Sequence, residues 1–261
     1  MARPLVSVVV PAFNEEASIG QCIAALGAAL DRLGASWELL VVDDGSGDRT
    51  RTIVGEVARR DGRVRLIELP HRGKGSAVRH GFQSARGEWI FMADADLSMP
   101  PDNIRRFLAA VSREPVPHIV IGSREAPGSE RIGEPWTRHV IGRIFNRVAQ
   151  AIAVPGIEDT QCGYKLLSAD AAAALASHMT LNGFAFDVEL LYLARRAGYD
   201  VREIGIVWHC RTDSRVRISR GAAAFADVVR VQLNAQRGKY APLLDAGGRR
   251  AAPARLDHAI G

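Results

Sequence analysis

Trp89-Ile90-Phe91-Met92-Ala93-Asp94-Ala95-Asp96 is the stretch on which the fold turns. An apolar run is followed at once by two carboxylates one residue apart. A run this short, with bulky and aromatic side chains, reads as a buried strand rather than a helix. A carboxylate at the end of such a strand is costly unless it meets a cation or hydrogen-bond donors. Oxygen ligands of this kind suit Mg²⁺ or Mn²⁺. The plain alternatives are a loop solvated by water, or an acid paired with a nearby arginine.

Upstream, Leu5 to Val10, Glu38 to Val42 and Val64 to Leu69 read as further strands, and His118 to Gly122 as a fifth. Helical spacing lies between them. Ile19, Ile23, Leu26, Leu30 and Leu33 mark one helix; Ile53, Val54 and Val57 mark another, with Ser46 as its expected N-cap. A third is expected from about Gly75 to Ala85, and a fourth carries Ile104, Phe107, Leu108 and Val111. The alternation predicts an α/β fold, a mostly parallel sheet with helices on both faces. Ligands of such sheets gather beyond the carboxyl ends of the strands. Pro11–Glu16, Asp43-Asp44, Arg72–Lys74 and Asp94–Asp96 all follow strand ends, so they are expected on one rim.

The second half is less regular. Residues 125–136 read as a long loop and 137–153 as an amphipathic helix. Residues 186–197 are expected to be helical, Val201 to Trp208 a strand, and about 221–236 a last helix. The expected organisation is one domain over 1–240, with a regular half to about 125 and a less regular half from 126. Residues 241–261 show no periodicity and are expected to be an unstructured tail.

Composition narrows the function classes. The 261 residues are 47% apolar and 24% charged, enough for a sizeable core in a soluble domain. A net charge of +5 with acids spread throughout suits anionic substrates or a membrane surface and gives no nucleic-acid signature. Cys22, Cys162 and Cys210 are too scattered for a metal-spaced pair or a disulfide framework, so a reducing cytoplasm is expected. No run reaches the ~18–20 apolar residues of a bilayer span. Contact with lipid would therefore be peripheral, at the cytoplasmic face.

Each motif has an ordinary reading beside the functional one. Asn14 and the glutamates after it can be a helix start. Asp43-Asp44-Gly45-Ser46 contains turn chemistry, yet turns do not ask for two adjacent acids at a buried strand's end; one of them could bind a base or a ribose hydroxyl. Arg72-Gly73-Lys74-Gly75-Ser76 lets backbone approach an anion at a helix start, without dinucleotide or Walker A spacing.

Together these residues resemble family 2 glycosyltransferases of the GT-A fold. The carriers are Val9 to Glu16, Val42 to Ser46, Gly73-Lys74-Gly75 and Asp94-Ala95-Asp96. Asp159-Thr160-Gln161-Cys162-Gly163-Tyr164-Lys165 and Phe186-Asp187-Val188-Glu189-Leu190-Leu191 are similar to the polyprenyl- and dolichyl-phosphate sugar transferases, the β-glucosyltransferase branch foremost. The resemblance covers about residues 5–237. It implies a donor site of Pro11, Ala12, Asn14, Glu15, Asp43, Lys74, Asp94, Ala95 and Asp96, with Mg²⁺ or Mn²⁺ at Asp96 assisted by Asp94. It implies catalytic duty for Asp94, Asp96 and Asp159, and an acceptor-phosphate set of Arg124, Arg138, Arg215 and Arg217. Asp187 and Glu189 are open between structural and functional roles.

The implied reaction is inverting transfer of a hexose, UDP-glucose being favoured and GDP-mannose second, to a polyprenyl or dolichyl phosphate. Alternatives are a soluble acceptor and, from another class, a non-catalytic nucleotide-sugar-binding regulator. Two departures stand out. Asp213-Ser214-Arg215 replaces the Gly-Ser-Lys of many relatives, and no transmembrane helix is present in the sequence given. The amphipathic segment 137–153 could lie in a membrane interface or pack on the sheet.

Overall fold

A computed structural model of the chain describes residues 3–210, 218–245 and 250–256. The apolar runs become strands β1 (Val6–Ala12), β2 (Trp37–Asp43), β3 (Val64–Glu68), β4 (Trp89–Met92) and β5 (Ile119–Ser123). Helices α1 (Ile19–Arg32), α2 (Thr50–Arg60), α3 (Lys74–Ser84) and α4 (Ile104–Val111) alternate with them. Further along come β6 (Glu130–Ile132), α5 (Trp136–Ile152), β7 (Lys165–Ser168), α6 (Ala169–Ala176) and α7 (Phe186–Arg196). The chain continues with β8 (Val201–Gly205), β9 (Val207–His209), α8 (Ile218–Gln236) and α9 (Ala241–Asp245).

Seven strands form one sheet in the order β3-β2-β1-β4-β7-β5-β8. All pairings are parallel except those of β7, which runs antiparallel between β4 and β5. Both faces are covered, so strand residues are buried on either side. Val9, Val42, Ile90, Met92, Ile119, Ile121 and Leu167 enter the core under α3, α6 and α7. Their neighbours Val8, Val10, Val41, Phe91, Val120 and Leu166 enter the opposite core under α1 and α4. The alternation is the two-residue period of a strand read on both faces. Among the described residues no helix is long and apolar enough to cross a membrane.

Four expectations change. Residues 125–136 are not all loop, since β6 lies within them. Val201–Trp208 is not one strand: it breaks at Ile206, and β9 pairs with β6 in a small second sheet. β7 and α6 were not foreseen, because a four-residue strand runs directly into an alanine-rich helix with no turn residue between them. Residues 241–261 are not featureless where described: α9 follows the fully buried Tyr240, Leu243 is buried, and 250–256 return to the body. There the Leu256 amide donates to the Val111 carbonyl and Arg250 lies over the Tyr199 ring. Isolated apolar anchors of this kind produce no periodicity to read.

Candidate active site

The loops after β1 and β2 are laced together. The Asn14 amide donates to Ser46 Oγ (2.9 Å), and Asn14 Oδ1 accepts from the Gly47 amide (2.8 Å). The Glu15 amide donates to Thr50 Oγ1 at 2.8 Å, and the Arg49 amide donates to Glu16 Oε2 at 3.0 Å. Backbone donors left over where strands end are thus met by side chains of the other loop. Asn14 takes a φ of 56°, a conformation asparagine tolerates better than most residues. Ser46 is not the expected helix cap: α2 begins at Thr50, and the Ser46 hydroxyl is spent on Asn14.

The adjacent acids at the end of β2 have different duties. Asp44 clamps the loop before α3, accepting from the Arg72 and Gly73 amides at 2.9 and 2.8 Å and from His71 Nδ1 at 2.7 Å. Asp43 Oδ2 accepts from the Ser46 amide (2.9 Å) and the Gly45 amide (3.1 Å), with Arg51 Nε at 3.8 Å. Asp43 Oδ1 is buried without a hydrogen-bond partner. Such an oxygen is expensive to keep and calls for a missing donor. Phe13, next in the chain after Ala12 (the register partner of Asp43), stacks on His71, which is bound to Asp44; the ring centroids are 4.1 Å apart and Phe13 is 38% exposed. Pro11 and Ala12 are the buried last residues of β1, in register with Val42 and Asp43.

Lys74 opens α3 and places Nζ 2.6 Å from Asp94 Oδ1. Gly73 has a φ of 118°, and a Cβ there would lie 2.4 Å from the Asn182 carbonyl oxygen, so only glycine fits this loop. The Gly75 amide donates to the same carbonyl at 2.8 Å. The 180–182 segment is in turn held by Glu189, whose carboxylate accepts from the Thr180 and Leu181 amides, the Thr180 hydroxyl and Tyr240. Glu189 is fully buried, which resolves it as a structural acid. Asp187 faces inward and is 2.5 Å from Nζ of the fully buried Lys165.

Asp96 Oδ1 accepts from the Ser98 amide at 2.9 Å. The Ser98 carbonyl receives the His209 amide at 2.8 Å, tying β9 to this loop. Gly163 presses on Asp94 so closely that a Cβ would fall 2.0 Å from Asp94 Oδ2. Ala95, between the acids, is buried in the core under α1 and α4. Among the described residues no group of three or more His, Cys, Asp or Glu converges to hold a metal by itself. Two carboxylates nevertheless suit Mg²⁺ or Mn²⁺, which commonly take one or two protein carboxylates and complete their shell with phosphate oxygens and water. The donor set fits an ion that arrives with a diphosphate.

Across the sheet, Arg124 follows β5. Its Nε lies 2.7 Å from Asp159 Oδ2, its terminal nitrogen 2.8 Å from Oδ1, and its amide 3.0 Å from Oδ2. Asp159 is fully buried. Burial pushes its carboxyl upward, but the charge and hydrogen bonds of Arg124 outweigh this and hold it at about 2. Asp159 is therefore not placed as a proton acceptor; it positions Arg124. Arg124 also lies over the Trp208 ring, 5.3 Å from its centroid, and 20% of its side chain is exposed. Arg131 bridges Glu125 and Glu134 beside it, and Arg143 Nη1 lies 3.4 Å from Glu125. Arg138 lies on α5 with its side chain outside the description, and Arg215 and Arg217 lie outside the described residues.

The geometry brings the Pro11–Glu15, Asp43 and Lys74 clusters together at one rim with Asp94 and Asp96. Sequence reading had missed the Asp44 clamp, the Phe13–His71 stack, Gly163 and the Lys165–Asp187 pair. Of these the Phe13–His71 stacking alone leaves no signal: Asp44 stands in an acidic pair at a strand end, Gly163 and Lys165 in the 159–165 motif, and Asp187 in the 186–191 motif.

The family model described as "Glycosyl transferase family 2" matches residues 7–175. A dolichyl-phosphate beta-glucosyltransferase of Trichomonas vaginalis is 33% identical over 245 residues, 89% of this chain and 72% of that protein. The Mus musculus dolichyl-phosphate beta-glucosyltransferase is 37% identical over 218 residues, 77% of this chain and 66% of its own length. Among solved structures, glucosyl-3-phosphoglycerate synthase from Mycobacterium tuberculosis, in complex with Mn²⁺, uridine diphosphate and glucosyl-3-phosphoglycerate, superposes with a TM-score of 0.67. The two chains are 20% identical, and the match covers 88% of this chain and 79% of that one, which is a likeness of fold. The chain belongs to glycosyl transferase family 2 and has the GT-A architecture.

Proposed function

We propose that this family 2 glycosyltransferase moves glucose from UDP-glucose to a polyprenyl or dolichyl phosphate, with inversion at the anomeric carbon and with Mg²⁺ or Mn²⁺ at Asp94 and Asp96. The observation that carries the donor half is the unpartnered, buried Asp43 Oδ1, together with the Phe13–His71 stack. A carboxylate oxygen accepts from a base N–H, and an aromatic surface takes a flat ring. Uracil supplies both. Pro11, Ala12, Asn14 and Glu15 shape this wall, Asn14 through the backbone it fixes.

The chemistry follows from charge. An acceptor phosphate oxygen forms a bond to the anomeric carbon as the bond from that carbon to the donor diphosphate breaks, and nucleoside diphosphate leaves with the electron pair. A divalent ion held with the diphosphate supplies charge neutralisation for the leaving group. Lys74 adds a fixed positive charge on that side, and Arg124, anchored by Asp159, presents one toward the acceptor. A phosphate acceptor is already anionic near neutral pH, so no strong base is needed. This agrees with the engaged state of Asp159. Arg138, Arg215 and Arg217 complete the proposed acceptor set.

The lipid half rests on the relatives, which are named for dolichyl phosphate, and on α5. Trp136, Val140 and Ile144 fall at four-residue spacing on that helix and are 75%, 40% and 51% exposed. A solvent-facing apolar stripe with Arg143 and Arg147 nearby fits a helix lying in the surface of an anionic membrane, at the cytoplasmic face.

Thermal denaturation with a donor panel tests the reading. UDP-glucose with Mn²⁺ is expected to raise the Tm by mass action, more than GDP-mannose does. Asp43→Asn, which turns the lone acceptor into an amide, is expected to abolish that preference. An equal shift from both donors, unchanged in Asp43→Asn, would remove the assignment of Asp43.

A further inference from the structure

Lys74 and Asp94 raise a question that the donor site alone does not answer. Asp94 is one of two carboxylates that fit the divalent ion, yet its Oδ1 already holds a cation, Lys74 Nζ, at 2.6 Å. Both side chains are only partly exposed, 22% and 26%. A divalent ion arriving there meets an internal competitor. Behind Lys74 lies a second acid, Asp187, buried and paired with Lys165 Nζ at 2.5 Å. Burial acts to discharge Lys74, but Asp94 first and Asp187 after it outweigh this and keep it protonated. Acidic and basic side chains thus alternate, Asp94, Lys74, Asp187 and Lys165, from the rim into the core, and burial pushes the Asp187 carboxyl up against the opposing charges of Lys165 and Lys74.

We propose that Lys74 is a built-in competitor for the metal-binding carboxylate Asp94. This rests on the donor and metal reading above and deepens it. Alone, a divalent ion must displace Lys74 from Asp94 without bringing it a new anionic partner, and the nearby Asp187 is already paired with Lys165. With a nucleoside diphosphate present, the phosphate oxygens receive Lys74 while the ion takes Asp94. The ion and the diphosphate therefore load together, and metal alone occupies the site poorly. Gly163 contributes by pressing against Asp94 Oδ2, which limits how far that carboxylate can turn away from Lys74. Lys165 donates to the Cys162 carbonyl as well as to Asp187, so the inner end of the series is fixed to the same 162–165 segment.

The test measures Mn²⁺ binding directly, by the loss of the free-ion electron paramagnetic resonance signal, with and without uridine diphosphate. Wild-type protein is expected to bind Mn²⁺ weakly alone and at least tenfold more tightly with the nucleotide, a gain of about 1.4 kcal/mol. Lys74→Met is expected to bind Mn²⁺ alone about tenfold more tightly than wild type, while losing most of the nucleotide's enhancement. Its Tm serves as the check on folding. Wild-type enhancement by nucleotide together with unchanged metal-alone affinity in Lys74→Met would overturn the competition. No Mn²⁺ binding by wild type even with uridine diphosphate would instead overturn the metal assignment beneath it.

Discussion

Arg124 and Asp159 are locked together: two nitrogens of the guanidinium meet the two carboxylate oxygens at 2.7 and 2.8 Å, and the Arg124 amide closes a third bond. A fork-on-fork pair fixes the plane of the arginine as well as its position. The sequence reads Asp159 as a catalytic acid; in the structure both of its oxygens are taken up by Arg124.

That pairing makes a first prediction. Asp159→Asn leaves a partly buried guanidinium without its counter-charge and is expected to cost up to about 3 kcal/mol in denaturant unfolding. The folded carboxyl lies below its ordinary value, near 2 against 3.8. Its contribution is therefore complete above pH 4 and is lost as the pH falls from about 4 toward 2. Any acidic limb in a turnover profile between pH 5 and 8 is expected to persist in a variant that still folds. Disappearance of such a limb would return Asp159 to the list of proton acceptors.

Gly163→Ala is the sharpest single probe of the Asp94 position. A methyl group would meet Asp94 Oδ2 at 2.0 Å, so the carboxylate or the loop must shift. Strain of this kind typically costs about 1–3 kcal/mol. Turnover is expected to fall by about 100-fold or more, while far-ultraviolet circular dichroism stays native. Near-normal turnover would show that the Asp94 position is not critical.

Glu189 acts at a distance from the donor. Glu189→Ala strips partners from the Thr180 and Leu181 amides and from Tyr240, and about 3 kcal/mol of stability is expected to go with them. Because the neighbouring Asn182 carbonyl holds the Gly75 amide, the loop bearing Lys74 loosens too. Donor KM is expected to rise by more than kcat falls. A pure loss of stability with an unchanged KM would confine Glu189 to folding.

How much of this was legible beforehand differs by element. The long alternating strands and helices of residues 5–125 were readable because their periodicity is strong and their ends carry polar clusters. β7 was not, since Lys165 to Ser168 offers four residues and a lysine whose counter-charge is Asp187, 22 residues away. The site's residue types were legible too, but their duties were not. Asp43 and Asp44 look alike in sequence and separate only when the loop 71–73 folds over one of them. Asp159 and Arg124 are 35 residues apart, so their union is a matter of tertiary structure alone.

The proposed membrane contact is tested on α5. Trp136→Ala with Ile144→Ser removes the most exposed part of the stripe and is expected to leave the Tm within about 1–2 °C, since these side chains face solvent. Flotation with vesicles containing anionic lipid is expected to drop at least several-fold, and wild-type flotation to weaken with salt. Equal flotation of both proteins would move the lipid contact elsewhere.

One measurement bears most directly on the whole account. Purified protein is incubated with radiolabelled UDP-glucose or GDP-mannose, Mn²⁺ or Mg²⁺, and a polyprenyl phosphate in detergent, and label in the organic phase is followed with time. A glucose-labelled lipid is expected from UDP-glucose, abolished by chelator and reduced by about 100-fold or more in Asp96→Ala. No lipid-linked product from either donor, in protein that still binds uridine diphosphate, would contradict the lipid-phosphate acceptor.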